Sequence, residues 1–341
     1  MRRWQNRMAE STATLPTMCV VATLLWWLPQ GSYSTDYLFG WMSSALTTYL
    51  IMEMAAQNAL LRIRSRMVSS LYLLIMAMCG FLHPLQIGTI AMLCLAFSFY
   101  SLLRTCDQLR PEVNTMHAYL AISLGSLLWA PLLLLTPVLW WSQGIYLRSL
   151  TQRSFGASLI GLLLPYALWA TVAFTLGNLM PFIDHAKVII APFTEPFYWQ
   201  WVVNYVRSAD ESLSFSELLE QHFTALWQAH PAEVVALSVT LLIGFTGFVH
   251  YVTNSYDDKI RVRMCHYTMM AIQVILFVWL MLQPQHFPEL FPLIIVASAP
   301  AAAHFISLTH SWLSNAWVIL LFLLLIAVGI YCLALPHVRL P

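Results

Sequence analysis

The sequence predicts an all-α fold, a polytopic transmembrane helical bundle of about eleven spans (range about 9–11), and three observations carry that prediction. Hydrophobic residues make up 60% of the chain and charged ones only 9%, where a soluble domain carries about 25% charged residues. The mean hydropathy is +0.70. Apolar stretches near the roughly 20 helical residues that a hydrocarbon core requires recur along most of the chain.

Between polar, proline and glycine breaks, the spans fall at 15–29, 37–61, 67–82, 84–103, 117–131, 132–147, 155–179, 231–251, 264–283, 290–310 and 312–335. Arg2, Arg3 and Arg7 precede the first of them, as in a signal peptide, but no small-x-small cleavage site follows, which predicts a retained and rather short first span. The pairs 67–103 and 117–147 turn at prolines, Pro84 in one and Pro131 and Pro137 in the other. Each is either a full hairpin or a re-entrant one buried in protein, since backbone groups must be satisfied in both. With the N-terminus in the cytoplasm, thirteen of the sixteen basic residues fall in inside loops, leaving Lys187, Arg207 and Arg339 outside. A net charge of +1 excludes a nucleic-acid binder, which needs a clustered basic face. The six cysteines form no C-x-x-C pair and are read as small buried hydrophobes.

The whole chain, 1–341, reads as one integral membrane domain with an extracytoplasmic loop at about 180–230. Within that loop Ser214-Phe215-Ser216-Glu217 is a capping box. Phe215, Leu218, Phe223 and Leu226 follow at helical spacing, which predicts an amphipathic helix over 214–228 lying flat on the protein.

Ionisable residues within or beside spans are costly and therefore candidates for function. Asp36 opens the second span from the outside: it is either a general base or the cap of that helix. Glu53 lies inside the same span with Gln57 one turn on, lining a polar path or satisfied by that glutamine. In the outside loop Lys187 and Arg207 are interleaved with Trp199 and Trp201. Rings beside cations suit a sugar held by stacking and its phosphate by guanidinium; the alternative is an aromatic belt at the water boundary. His83 borders an outside end and joins either arrangement. Asp257-Asp258, followed by Lys259, Arg261 and Arg263, reads as a solvated inside turn. The histidine spacing predicts no metal site, and no nucleotide-binding motif appears.

Two stretches carry a resemblance: Asn58-Ala59-Leu60-Leu61-Arg62-Ile63-Arg64-Ser65-Arg66 leading to Phe81-Leu82-His83-Pro84-Leu85, and Gln283-Pro284-Gln285-His286-Phe287 with Ala299-Pro300 and Ala303-His304-Phe305. Together they resemble an uncharacterised family of polytopic inner-membrane proteins from Bacteroidetes, which implies the bacterial inner (cytoplasmic) membrane. A topological resemblance links the chain to GT-C type glycosyltransferases that use polyprenyl-phosphate sugars. It implies a catalytic role for Asp36 in the first outside loop, with the 180–230 segment as the second. The leading expectation is an envelope enzyme handling a polyprenyl-phosphate-linked sugar at the outer face, in the lipid bilayer. A transporter or flippase with a polar path near Glu53, and a non-catalytic scaffold subunit of an envelope complex, are the alternatives.

Overall fold

A computed structural model describes residues 4–27, 34–194, 227, 230–283 and 286–334. Among them the chain is helical throughout, with no strand. The helices are α1 (Trp4–Glu10), α2 (Thr14–Trp27), α3 (Thr35–Gln57), α4 (Met67–Met78), α5 (Ile87–Leu103), α6 (Glu112–Ser126), α7 (Thr136–Ile145), α8 (Gln152–Thr175), α9 (Met180–Thr194), α10 (Pro231–Asn254), α11 (Ile260–Leu282), α12 (Phe287–Leu308) and α13 (Trp312–Ala334). Five of these, α8 and α10 to α13, are each long and apolar enough to cross a membrane. The bent pair α1 and α2 makes a sixth if counted as one span.

The sequence-level spans recur as helices displaced by a few residues at their ends, with two differences. The first span, expected over 15–29, is preceded by a separate helix, α1, turned 91° from α2. The loop expected at 180–230 starts with α9, and the amphipathic helix expected over 214–228 lies outside the described residues, apart from a helical Trp227.

The central element is α12, whose most apolar 18-residue window is wholly buried. Its Ala297, Ala299, Ala301, Ala302 and Ala303 present so little side chain that neighbours approach its backbone. α10 approaches closely at Gly247, where a Cβ would stand 2.4 Å from the Ala302 nitrogen. Small residues are what lipid-embedded helices use to pack closely, since apolar burial gives no driving force between them. The α3 helix shows the matching inversion. Leu38, Phe39, Met42, Leu46 and Tyr49 are exposed, while Ser43, Ser44, Thr47 and Thr48 face inward. Thr47 and Thr48 return their hydroxyls to the Ser43 and Ser44 carbonyls, at 2.9 and 2.7 Å.

Successive segments run between two ends of the bundle. At one, Thr105 meets Ser149 at 2.8 Å, His266 meets the Leu60 carbonyl at 2.9 Å, and the Tyr146 ring lies 5.9 Å from that of Tyr267. The loops and helix ends here carry Arg62, Arg64, Arg66, Arg104, Arg148, Arg153, Lys259 and Arg261, so it is the basic end. At the other, Trp129 stacks on Trp279 at 5.4 Å, Phe81 on Phe291 at 5.9 Å and Trp26 on His83 at 4.1 Å. This is the aromatic end. Segments 67–103 and 117–147 both bring their middles to the aromatic end, through Phe81 and Trp129. In the second, a 3₁₀ stretch, Ala130–Leu135, continues into α7.

Candidate functional site

The site is built where α3 stops. Asn58 caps the helix, Ala59 takes a positive φ of 47°, and two backbone bonds close the turn, Leu60 N to Ala55 O (3.1 Å) and Ala59 N to Ala56 O (3.3 Å). This left-handed helix terminus is usually made by glycine; an alanine there costs about 1–2 kcal/mol. The turn sends residues 61–66 across the basic end. An open hollow of about 540 Å³ forms between them and the last turns of α3. Glu53, Arg62, Arg64 and Arg66 are its charged lining, beside apolar Met52, Leu61 and Ile63.

Arg62 is shared between the hollow and a buried cluster. Its Nε donates to Asp258 Oδ1 at 2.5 Å, Nη1 to Asp257 Oδ2 at 3.4 Å and Nη2 to the Asn254 carbonyl at 3.1 Å. That carbonyl belongs to the end of α10, where a cation suits the helix dipole. Burial draws the guanidinium's pKa down, but the hydrogen bond and charge of Asp258, with Asp257 behind it, outweigh this and raise it above the ordinary arginine value. Asp258, its side chain only 1% exposed, uses its second oxygen on His304 Nε2 at 3.1 Å. The sequence-level reading of Asp257-Asp258 as a solvated turn is therefore corrected for Asp258. A 3₁₀ turn over Ser255–Asp257 folds it inward, and two long-range partners make its burial tolerable.

Three histidine rings surround this pair. His304 lies 5.5 Å from His250 and 5.6 Å from His266, and Tyr251 stacks on His266 at 4.2 Å. The partners dictate the tautomers. Leu60 O and the Asp258 carboxylate only accept, so His266 and His304 each carry hydrogen on Nε2. The Asn254 amide donates to His250 Nδ1 at 3.1 Å, which puts the hydrogen of neutral His250 on Nε2 as well. Among the described residues no three His, Cys, Asp or Glu side chains are arranged to hold a metal ion.

Of the residues singled out from the sequence, Glu53 and Gln57 do meet, Gln57 Nε2 donating to Glu53 Oε1 at 2.6 Å. Gln57 also reaches Tyr100 Oη at 3.4 Å, which accepts from Arg104 at 3.2 Å. Asp36 is exposed in the first turn of α3, and its carbonyl accepts from the Leu85 nitrogen at 2.9 Å. His83 is buried, stacked on Trp26 and bonded through Nε2 to the Ala77 carbonyl at 3.1 Å. Its ring therefore turns into the protein although its backbone lies beside α3. Lys187 pairs with Asp184 within α9 at 2.8 Å, both largely exposed. Trp199, Trp201 and Arg207 lie outside the described residues.

Sequence reasoning missed the Arg62, Asp258 and His304 cluster because its members come from three distant segments. The available signal was an adjacent acidic pair beside histidines near the ends of apolar spans. Compared with protein-family models, curated proteins and solved structures, the chain matches none of them.

Proposed function

We propose that this chain is a multi-pass protein of the bacterial inner membrane that binds the phosphate of a lipid headgroup at its basic, cytoplasmic end. Basic residues gather on the cytoplasmic side of short loops, and on that rule α1 lies inside. On this reading the chain crosses the membrane eleven times, with 67–103 and 117–147 as full hairpins.

One observation carries the ligand assignment. Arg64 and Arg66 line a single hollow at the end of a membrane helix, and their side chains form no hydrogen bond or ion pair among the described residues. Arg62, the third cation there, is held in place by Asp258. Guanidinium groups recognise phosphate through paired hydrogen bonds, and the apolar lining suits the start of an acyl chain.

The test is lipid binding to the purified full chain, read by native mass spectrometry with defined phospholipids. The Arg64→Ala/Arg66→Ala variant is expected to lose about tenfold in affinity, the equivalent of 1.4 kcal/mol. Equal binding by variant and wild type would overturn the reading. Labelling of a single cysteine at position 64 from the external side of intact cells would overturn the orientation.

A second reading places transfer of a polyprenyl-phosphate-linked sugar at the aromatic end. The exposed Asp36 carboxylate at the start of α3 favours it, and it requires Arg207 to lie beside Asp36. Asp36→Asn is then expected to abolish transfer while leaving the amount of folded protein unchanged.

A further inference from the structure

We infer that the headgroup taken by the arginine hollow carries a protonated amine as well as a phosphate, as phosphoethanolamine does; this rests on the phosphate reading above and specifies its ligand. Glu53 distinguishes this headgroup from a purely anionic one. A site for a purely anionic head gains nothing from a carboxylate, which repels it. Yet Glu53 lines the same hollow as Arg62, Arg64 and Arg66 and forms an ion pair with none of them.

Glu53 is instead held by a neutral partner. Gln57 Nε2 donates to its Oε1 at 2.6 Å, Gln57 in turn meets Tyr100 Oη at 3.4 Å, and Arg104 fixes that phenol by a hydrogen bond of 3.2 Å and a contact of 5.4 Å over its ring. Such a chain orients the carboxylate without neutralising it. Positive and negative groups are thus kept apart on the walls of one hollow, and a headgroup of matching polarity satisfies both. A primary ammonium donates hydrogen bonds to a carboxylate, whereas a quaternary choline has no N–H to give. The glycerol head of phosphatidylglycerol offers only neutral hydroxyls in the ammonium's place.

The full chain in detergent is titrated with phosphatidylethanolamine, phosphatidylcholine and phosphatidylglycerol of identical acyl chains, again by native mass spectrometry. Wild type is expected to favour phosphatidylethanolamine about tenfold over the other two, a difference of 1.4 kcal/mol. Glu53→Gln is expected to bring phosphatidylethanolamine down to the phosphatidylcholine level while phosphatidylglycerol holds or improves. Arg64→Ala/Arg66→Ala is expected to weaken all three. If phosphatidylglycerol binds wild type as well as phosphatidylethanolamine does, or if Glu53→Gln leaves the preference intact, the amine assignment is wrong though the phosphate reading stands. If the double arginine variant binds all three like wild type, both fall. Soluble phosphoethanolamine is added as a competitor. Displacement only at far higher concentration identifies a lipid ligand, and displacement at equal concentration identifies the free head, each with the amine and phosphate retained.

Discussion

Arg62 Nε and Asp258 Oδ1 meet at 2.5 Å although 196 positions separate them in the chain. The contact ties the loop after α3 to the turn between α10 and α11, and Asp258 passes it on to His304 of α12. Removing one partner of a buried ion pair leaves the other uncompensated, at about 3–5 kcal/mol. The Arg62 side chain is 34% exposed and can partly rehydrate, so the lower end of that range applies to Asp258→Ala. Thermal unfolding in detergent checks this. Asp258→Ala and Arg62→Ala should each lower the Tm, and the double variant should cost less than the two together. Strictly additive losses would show that the pair does not act as a unit.

The tautomers argued from partner chemistry are measurable directly. Selective ¹⁵N-histidine labelling should show hydrogen on Nε2 of His266 and His304 at neutral pH, because Leu60 O and Asp258 can only accept. A His304 ring, assigned by loss of its signals in a His304→Gln variant, with hydrogen on Nδ1 and none on Nε2 would contradict the geometry.

The fold was legible because lipid leaves few choices for backbone: apolar stretches ended by charge or proline had to become helices. The proline-broken pairs were ambiguous because α4 and α7 are short, and their reach depends on adjoining 3₁₀ turns that no periodicity reveals. Glu53 and Gln57 could be paired because i,i+4 spacing is local. Asp258 could not be placed, since Lys259, Arg261 and Arg263 beside it read as a solvated turn's own compensation, while its partners, Arg62 and His304, come from other segments. The turn of α1 against α2 was hidden by a run of residues that reads as one continuous approach to the membrane.

Gly247 tests the close approach of α10 to α12. Gly247→Leu drives a side chain into the Ala301 and Ala302 backbone, since even a Cβ would stand 2.4–2.5 Å from it. Overpacking of this sort costs about 1–3 kcal/mol and often more where backbone must move. The same change at Gly156, whose Cβ would meet nothing within 4 Å, is the control. A larger loss at Gly156 than at Gly247 would refute the packing.

His185 makes the docking of α9 pH-dependent. Burial lowers its pKa, partly offset by a hydrogen bond involving Ser126, and its Nε2 lies 3.2 Å from Tyr166 Oη. Free imidazole takes up a proton near pH 6.5, while the docked ring resists it. The undocked state therefore binds more protons on acidification, and docking weakens as pH falls through about 6.5. Hydrogen exchange across 180–189 should quicken at pH 5.5 relative to pH 7.5 after correction for intrinsic rates. His185→Gln should remove that difference, and a persisting difference would assign it to another group.

α1 lies across the end of α12. A helix leaves its final carbonyls without intrahelical partners, and here side chains from the other terminus supply donors. Asn6 Nδ2 reaches the Ser307 and Thr309 carbonyls at 3.2 and 3.4 Å. Gln5 Nε2 donates to the Thr309 carbonyl and, at 2.9 Å, to its hydroxyl. Both amides are buried, as is Ala9 on the same short helix. Each such bond contributes about 1 kcal/mol net, and an orphaned buried carbonyl adds about 1–3 kcal/mol of cost. A seven-residue helix cannot hold itself together in water without packing, so losing these bonds should release all of α1 rather than fray it. An Ala9→Cys reporter in an otherwise cysteine-free chain should resist a water-soluble maleimide. The same reporter carrying Gln5→Ala and Asn6→Ala should react many times faster. The competing account is that Trp4 against Phe322, ring centroids 6.0 Å apart, anchors the helix through apolar contact. In that case Trp4→Ala, and not the amide pair, would expose the thiol.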